Sequence, residues 1–190
     1  MLDFTDWSIQ DHDGCLSIEG SRVSWLKADR TAVRYIGKQV EVPGDFIHSF
    51  VVCFLDGEVE DELNRELIRL WEVRNDLENR TWVYARKNGD GWTIYLEQLS
   101  NRDKVIAFQG SSRLSFNHRY TVKVTCVVGN YRLEVRDWAG MIADNSQEVE
   151  GVLQSYEYVW LASTIKSRRN NSNWSTGYIE NLTMAPQEHP

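Results

Sequence analysis

Short segments in which apolar and polar residues alternate recur along most of this chain. In the clearest of them, Thr81–Gln98, two such segments flank Asn88–Gly91, whose Asn and Gly residues tolerate the positive φ of a tight hairpin turn. A second pair occupies Arg119–Trp138 and turns at Gly129 and Asn130, with one apolar and one polar face on each arm. The pattern predicts two antiparallel β-hairpins, the second with one face toward solvent.

Further segments rich in Val, Ile, Tyr, Trp and Phe are bounded by turn residues and predict more strands. They are Ser21–Leu26, Thr31–Gly37, Asp45–Leu55, Tyr156–Thr164 and Ser175–Met184. The centre of Asp45–Leu55 is apolar on both faces, so this strand is expected to be covered on both sides. About ten strands, at most one helix and no internal linker predict one all-β domain spanning residues 1–190, a sandwich or a barrel.

The segment Glu58–Asn75 carries two competing patterns. Its apolar residues have the i, i+4, i+7, i+8 spacing of an amphipathic helix, yet its second half also alternates with period two. Strands on both sides favour the second pattern, because a strand that completes a sheet gains burial that an isolated surface helix lacks. We expect a loop or turn near Gly57–Asn64 and a strand from about Arg65 to Arg74. The faces expected for that strand are Leu67, Arg69, Trp71 and Val73 on one side and Ile68, Leu70 and Glu72 on the other.

Charge and hydropathy narrow the choice of partners. The 21 basic and 28 acidic residues give a net charge of −7, which argues against nucleic acid as a partner. No apolar run approaches the roughly 18 residues of a membrane span and no signal peptide is present, so no membrane association is expected. We expect a cytoplasmic protein if Met1 is the native start, or an extracellular one if the chain is an excised domain. The sequence leaves the oligomeric state open.

The cysteines and histidines form no recognisable reactive or metal-binding motif. Cys53 and Cys126 lie in strongly apolar runs, which is typical of small buried hydrophobic residues. With Cys15 they make an odd number, so all three cannot pair internally. No CxxC or HExxH motif is present, which argues against a zinc site. His48, within a predicted strand, is expected to be a core histidine with a satisfied hydrogen bond.

The order of these segments resembles the concanavalin A-like lectin/glucanase superfamily, and within it the laminin G-like jelly rolls. The resemblance rests on DFIHSFVVCFL, an acidic loop, RELIRLWEV, the hairpin WVYARKNGDGWTIYLEQ, RYTVKVTCVVGNYRLEVRDW and the closing STGYIENLTM. It implies a jelly-roll β-sandwich of two curved antiparallel sheets, whose last strand pairs near the first. Members of this superfamily include carbohydrate-binding modules, lectins, glycoside hydrolases and polysaccharide lyases, so the fold alone assigns no function.

Aromatic residues make up 12% of the chain, and they suggest a sugar-binding surface. Sugars pack their flat CH faces on Trp and Tyr rings and need charged or amide groups for their hydroxyls. On the predicted strand phases, such residues form a platform across the middle of one sheet. Its predicted ligand-binding residues are Arg69, Trp71, Trp82, Tyr84, Arg86, Tyr95 and Glu97. The alternative is that the Trp residues are core aromatics, and Arg132, Glu134, Arg136 and Trp138 form a second polar patch whose simpler explanation is cross-strand ion pairing.

Catalysis is the alternative to binding. The resemblance implies that an enzyme of this fold carries a row of carboxylates on one strand, and Glu58-Val59-Glu60-Asp61-Glu62 has the alternation but has Asp61 out of phase. We interpret this row as a solvated acidic loop. If the protein is an enzyme, the expected catalytic residues are Glu60, Glu62, Arg69 and Tyr84. Arg65–Arg69 also resembles the Arg-x-Glu-x-Arg strand of alginate lyases, with spacing that is off by one.

No cofactor is required by these motifs, although related modules hold a structural Ca²⁺. The weak candidate ligands are Asp3, Asp6, Asp11 and Asp13, since hard cations prefer carboxylate oxygens. Their spacing matches no calcium loop, so turn-forming aspartates are the preferred interpretation. The sequence thus predicts a non-catalytic, lectin-like or accessory carbohydrate-binding module. A glycoside hydrolase or polysaccharide lyase of the same fold, or a structural or protein-interaction domain, is the alternative.

Overall fold

The computed structural model describes residues 2–27, 33–57, 66–110, 113–148, 155–164 and 175–186, apart from the side chains of residues 66, 67, 105, 106 and 108. Fourteen strands and no helix lie in these ranges. They are β1 (Ser8–Gln10), β2 (Leu16–Glu19), β3 (Arg22–Trp25), β4 (Arg34–Val42), β5 (Phe46–Gly57), β6 (Glu66–Arg74), β7 (Arg80–Asn88), β8 (Gly91–Ser100), β9 (Asp103–Gln109), β10 (Arg119–Val127), β11 (Asn130–Asp137), β12 (Gly140–Glu148), β13 (Tyr156–Thr164) and β14 (Ser175–Pro186). Accordingly, none of the described segments is a helix of the length and apolarity that crossing a membrane requires.

The strands form two seven-stranded sheets in which all neighbours are antiparallel. Sheet A has the order β1-β4-β13-β6-β7-β8-β9, and sheet B has the order β12-β11-β10-β5-β14-β3-β2. The closing strand β14 lies between β3 and β5 near the start of the chain, as predicted. The all-β, two-sheet architecture expected from the alternating pattern is confirmed.

Apolar side chains from the inner faces of both sheets make one continuous core. Its largest members include Trp25, Trp92, Phe46, Phe50 and Phe54. The outer side of β5 is half-buried and ends in exposed Leu55, so the expectation that both sides of this strand are covered is only partly met.

Polar groups in the core are hydrogen-bonded to one another. Gln98 Nε2 donates to Tyr131 Oη at 3.0 Å and to Tyr156 Oη at 3.1 Å, and the hydroxyls of Thr81 and Tyr156 lie 2.7 Å apart. Burial raises the pKa of Tyr156, so the phenol stays neutral. Buried polar groups cost stability unless they are paired in this way.

Both predicted hairpins are present. β7 and β8 turn at Gly89, which has φ of 61°, and β10 and β11 turn through Val128 and Gly129, with φ of 49° and 76°. The first turn has glycine where positive φ is needed. The second places a β-branched residue there, which is a strained conformation.

β6 is a strand from Glu66 to Arg74, as the period-two pattern predicted, but its face assignment is wrong. The β6–β7 register shifts between Arg69 and Trp71. At this β-bulge, Leu70 and Trp71 both contribute to the core, and Arg69 and Glu72 both lie on the opposite side. The loop expected before this strand, beyond Gly57, lies outside the described residues.

Candidate functional site on the outer face of sheet A

Core residues of sheet A alternate with a second set that points away from sheet B. The register shows this directly: Trp160 lies opposite Gly37 and Glu72, and Trp82 lies opposite Glu72 and Glu97. Opposed residues of antiparallel strands share a face, so the row crosses five strands on one side of the sheet. We call this side the outer face of sheet A. Its charged and aromatic members are Tyr35, Arg69, Glu72, Arg74, Arg80, Trp82, Tyr84, Arg86, Tyr95, Glu97, Tyr158 and Trp160.

The outer face brings together most of the predicted binding residues. Six of the seven predicted ligand-binding side chains lie on it: Arg69, Trp82, Tyr84, Arg86, Tyr95 and Glu97. Their role in binding stays a prediction. The seventh, Trp71, was placed on this face by counting with period two, and the bulge at Leu70 turns it into the core.

Trp71 instead serves the core. Its Nε1 donates to His48 Nδ1 at 3.2 Å, and its ring packs edge-on against the imidazole. Burial lowers the pKa of His48 to about 3, so the ring is neutral and its Nδ1 is available as an acceptor. His48 is therefore the satisfied core histidine that the sequence predicted.

The middle of the outer face is filled by arginines packed on aromatic rings. The guanidinium carbons of Arg69 and Arg80 lie 5.1 and 4.6 Å from the ring centroid of Trp82. Tyr84 and Tyr95 stack with centroids 5.3 Å apart. Trp82 is only 3% exposed and Tyr84 only 1%. A ligand cannot stack on these two rings unless side chains move first.

One buried carboxylate is shared by three arginines of the outer face. Glu72 is fully buried, and its oxygens lie 3.8 Å from Arg69 Nη1, 3.4 Å from Arg74 Nη1 and 3.7 Å from Arg80 Nη1. Ser163 Oγ donates to Glu72 Oε2 at 3.3 Å. The cluster fixes three guanidinium groups in place, because a buried cation is tolerated only beside a compensating charge.

The open part of the face is a cleft of about 520 Å³ formed by β1, β4, β13 and the end of β6. The described residues that line it are Ser8, Tyr35, Gly37, Lys38, Gln39, Arg74, Asn75, Tyr158 and Trp160. Tyr35 stacks on Trp160 with centroids 3.8 Å apart, and the Arg74 guanidinium lies 3.9 Å from the Trp160 centroid. Unlike Trp82 and Tyr84, Tyr158 and Trp160 are half-buried, so part of each residue reaches solvent, although Tyr35 and Arg74 cover the faces of the Trp160 indole.

Gly37 makes the position of Trp160 possible. A Cβ at residue 37 would lie 2.6 Å from Trp160 Cδ1 and 3.0 Å from Tyr35 Cδ2, closer than real Cβ contacts. The glycine therefore lets the indole lie across β4 next to Tyr35.

The residues that line this cleft were not predicted. Tyr35, Arg74, Tyr158 and Trp160 come from three strands that are distant in sequence, and β13 lies between β4 and β6. The available signal was the alternation of Tyr158 and Trp160 with Val159 and Leu161, which places two aromatic rings on the side opposite the core.

The candidate catalytic residues are only partly described. Glu60 and Glu62 lie outside the described residues, so their prediction is not tested. Arg69 and Tyr84 lie on the outer face, where Tyr84 Oη donates to Glu97 Oε1 at 2.8 Å. Glu97 also accepts from Lys104 Nζ at 3.0 Å. Glu72 and Glu97, the carboxylates at the centre of this face, are thus already engaged by protein groups.

The candidate calcium ligands have protein partners as well. Asp3 accepts from Thr5 N and Asp11 from Asp13 N and Leu16 N, as turn-forming aspartates do. Asp13 pairs with buried Arg34, and Asp6 pairs with Lys38 at 2.5 Å. Among the described residues, no group of three or more His, Cys, Asp or Glu side chains is arranged to hold a metal ion.

No protein-family model and no curated protein matches the sequence of this chain. Solved structures match its fold. The carbohydrate-binding module CBM66 from Bacillus subtilis has a TM-score of 0.61 at 13% identity, over 97% of this chain and 98% of that chain. The exoplasmic/lumenal domain of VIP36, in its Ca²⁺/Man3GlcNAc-bound form, gives 0.65 at 12% identity, over 97% and 85%. The alginate lyase from Klebsiella pneumoniae gives 0.52 at 9% identity, over 75% and 60%.

These three structures share the concanavalin A-like jelly-roll fold. The chain has this fold too, which confirms the resemblance found in the sequence. The finer assignment to laminin G-like jelly rolls stays a prediction. At identities of 9–13% the likeness shows the fold and nothing further.

Proposed function

We propose that this protein is a non-catalytic carbohydrate-binding module, lectin-like or accessory, whose ligand occupies the cleft beside Trp160. The observation that carries the proposal is the combination of half-buried aromatic residues and polar groups in that cleft. Tyr35, Tyr158 and Trp160 supply the rings, and Gln39 and Arg74 are among the polar groups. Pyranose rings bind to sites of this composition through CH contacts with aromatic faces.

The position of these groups also supports the proposal. Tyr158 lies opposite Gln39 on one neighbouring strand and opposite Arg74 on the other. Directly opposed side chains of antiparallel strands have Cβ atoms about 4.5–5.5 Å apart, so a sugar on Tyr158 reaches donors on both sides. Rigid strands hold all three groups, which reduces the entropy lost on binding.

The solved neighbours agree with a carbohydrate-related role but do not choose among its forms. One is a carbohydrate-binding module and one is a lumenal domain with bound Man3GlcNAc, while a third is an alginate lyase. Each of these statements concerns those proteins. For this chain they support carbohydrate as the chemical class of ligand.

Polysaccharide cleavage is the second candidate, favoured by one observation on β6. The bulge places Arg69, Glu72 and Arg74 on one face of the strand, an Arg, Glu, Arg order that simple counting of the sequence hides. We rank it second because Glu72 is fully buried and contacts Ser163 and the arginines, so it cannot reach a sugar without rearrangement.

The test is retention on immobilised polysaccharides together with a glycan-array screen. We expect the wild-type protein to be retained by at least one polysaccharide, and Tyr158→Ala to weaken that binding about 10-fold or more, since sugar–aromatic contact is lost. Trp138→Ala is the matched control, because this Trp is 87% exposed and follows β11 in sheet B. Failure of every glycan to bind would overturn the proposal.

The enzyme alternative has its own measurement. Each polysaccharide is incubated with the protein, and reducing ends and unsaturated sugars are assayed. Their release would favour the hydrolase or lyase over the binding module. Loss of that release in Glu60→Gln or Glu62→Gln would assign the chemistry to the acidic segment, and loss in Tyr84→Phe would assign it to the outer face.

A further inference from the structure

We propose that the cleft selects an acidic glycan, with a uronic acid carboxylate bound by Arg74. This inference rests on the proposed function and names its class of ligand. It depends on the charge of the cleft, the state of the Arg74 guanidinium and the distance from Arg74 to the aromatic wall.

The cleft is positively charged although the protein is negative overall. Its described lining includes the cationic residue Arg74 and no carboxylate, and a second cation, Lys38, lies next to it with its side chain on the other side of β4, opposite core Val159. The whole chain has a net charge of −7. A local excess of positive charge on an acidic protein raises the concentration of anions at that place.

Arg74 is held in position while keeping donors available. Its side chain is 8% exposed and its guanidinium carbon lies 3.9 Å from the Trp160 ring centroid, so its position is fixed by packing. Within the described residues Nη1 is buried and donates no hydrogen bond, and its 3.4 Å ion pair is with Glu72, a carboxylate shared with two other arginines. Because Nη1 is buried beside Glu72, an incoming acceptor would contact the exposed part of the guanidinium, where hydrogen bonds to a charged group are strong.

The guanidinium group suits a carboxylate in particular. It is planar and presents paired N–H donors that match the two carboxylate oxygens. The carboxylate of a hexuronic acid is attached to the sugar ring, one bond from C5. A ring packed on Tyr158 therefore places its carboxylate within reach of Arg74, which is the directly opposed residue on β6.

Lys38 supplies a second positive charge near the cleft, from the other side of β4. It pairs with Asp6 at 2.5 Å, but its side chain is 40% exposed and that of Asp6 is 64% exposed. Exposed pairs of this kind are weak and screened by salt, so Lys38 acts on an anionic ligand through its nearby charge and without direct contact.

The experiment compares ligands that differ only in charge. Short oligogalacturonides are titrated calorimetrically as free acids and as methyl esters, and dextran sulfate is compared with dextran. We expect the free acids to bind at least 10-fold more tightly than the esters, with an advantage that shrinks between low and high salt. We also expect little preference for dextran sulfate over dextran.

Variants assign the effect to the cleft. Arg74→Gln is expected to weaken binding of the free acid about 10- to 100-fold, and Lys38→Gln about 2- to 5-fold. Arg22→Gln is the matched control: on the outer side of sheet B, Arg22 also pairs with a glutamate, Glu180, and lies 4.4 Å from the Tyr178 ring centroid. Lys38→Gln keeps the test decisive if Arg74→Gln unfolds, because Lys38 is exposed.

The outcomes separate this inference from the function it rests on. Esters that bind as well as the acids would overturn the acidic specificity and leave the carbohydrate-binding function standing. A preference for acids that survives both Arg74→Gln and Lys38→Gln would overturn the assignment to this cleft. An equal increase in affinity from uronate and from sulfate groups would show charge attraction without carboxylate recognition. That result also contradicts the proposal. Absence of binding to any glycan would overturn both.

Discussion

The outer faces of the two sheets carry similar residues in different environments. On sheet B, Glu134 lies 3.1 Å from Lys123 and 3.3 Å from Arg136, and Arg132 forms a bidentate pair with Asp144. The cations of these three pairs are 41–55% exposed to water, although Glu134 itself is buried. On sheet A, Glu72 is fully buried and its arginine partners Arg69, Arg74 and Arg80 are only 8–12% exposed.

The difference distinguishes a surface of solvent-exposed ion pairs from one whose charged side chains are buried and held in fixed positions. Exposed ion pairs contribute little, because water solvates the charges almost as well as the partner does. Buried arginines must be held by rings and by a compensating carboxylate, as Trp82, Trp160 and Glu72 do on sheet A. The predicted cross-strand ion pairing is confirmed for Glu134 with Lys123 and for Arg132 with Asp144, while Arg136 pairs with Glu134 on the same strand. The outer face of sheet A remains the better candidate for binding.

The largest contrast should appear when one glutamate is neutralised on each face. Glu72→Gln removes the charge that compensates buried Arg74, and we expect it to lower the free energy of unfolding by about 3 kcal/mol. Glu134→Gln, whose cationic partners reach water, should cost less than about 1 kcal/mol. Urea denaturation of both variants checks this. Equal losses would contradict the distinction between the two faces.

The free energy of unfolding should depend on pH through His48, which lies in the core between the two sheets. His48 has a pKa of about 3, lowered by burial, whereas an unfolded histidine titrates near 6.5. Its contribution to stability is complete above about pH 6.5 and is lost as the pH falls toward 3, because the unfolded chain takes up a proton that the native ring does not. The loss should reach at most about 1.4 kcal/mol per pH unit.

Denaturation curves between pH 6.5 and 5 test this, since few carboxylates titrate in that range. His48→Gln should have a flatter pH dependence than the wild-type protein there, while its amide oxygen can still accept from Trp71 Nε1. The same slope in both proteins would show that His48 does not titrate on unfolding as described.

A substitution with a smaller expected effect tests whether the cleft depends on the position of Trp160. Gly37→Ala places a Cβ 2.6 Å from Trp160 and should displace the indole, at a cost of about 1–2 kcal/mol in stability. We expect a changed Trp fluorescence spectrum and weaker glycan binding. Gln39→Ala, on the same face of β4, is a control for the fold and for Trp160 packing. An unaltered spectrum in Gly37→Ala would mean that Trp160 does not depend on the glycine.

The fold was predictable because alternation over several residues is a strong signal. Both hairpins and the strands β4, β5, β6, β13 and β14 were expected on this basis. The strands β1, β2, β9 and β12 were missed. β12 is a polar edge strand, exposed along most of its length, so no apolar alternation marks it. The face predicted for Trp71 was wrong because strict two-residue alternation cannot detect a β-bulge.

The site was harder to predict than the fold. Trp82, Tyr84, Arg86, Tyr95 and Glu97 are on one hairpin, so local register placed them correctly on the outer face. The cleft instead joins Tyr35, Arg74 and Trp160, and their meeting depends on β13 pairing with both β4 and β6. The order of strands in a sheet follows from long-range packing, which the pattern of one segment does not contain.

The smallest change in the free energy of unfolding is predicted for substitutions in two hairpin turns, one in each sheet. Val128 has φ of 49° in the β10–β11 turn, where Asn is the preferred type, while Gly89 already meets the same requirement in the β7–β8 turn. Val128→Asn should raise the free energy of unfolding by about 0.5–1 kcal/mol, and Gly89→Ala should lower it by about 1 kcal/mol. Thermal unfolding measures both. Destabilisation by Val128→Asn would contradict the strain at this turn.

The central claim is that a glycan binds to the outer face of sheet A at the cleft. A titration followed by NMR, with short oligogalacturonides and with any neutral glycan retained in the affinity screen, tests it most directly through the indole N–H signals. We predict a saturable shift of the Trp160 signal with little change at Trp138, which is exposed beyond the other sheet. Shifts confined to Trp138 and the ion-paired face of sheet B, or none at saturating ligand, would contradict the account.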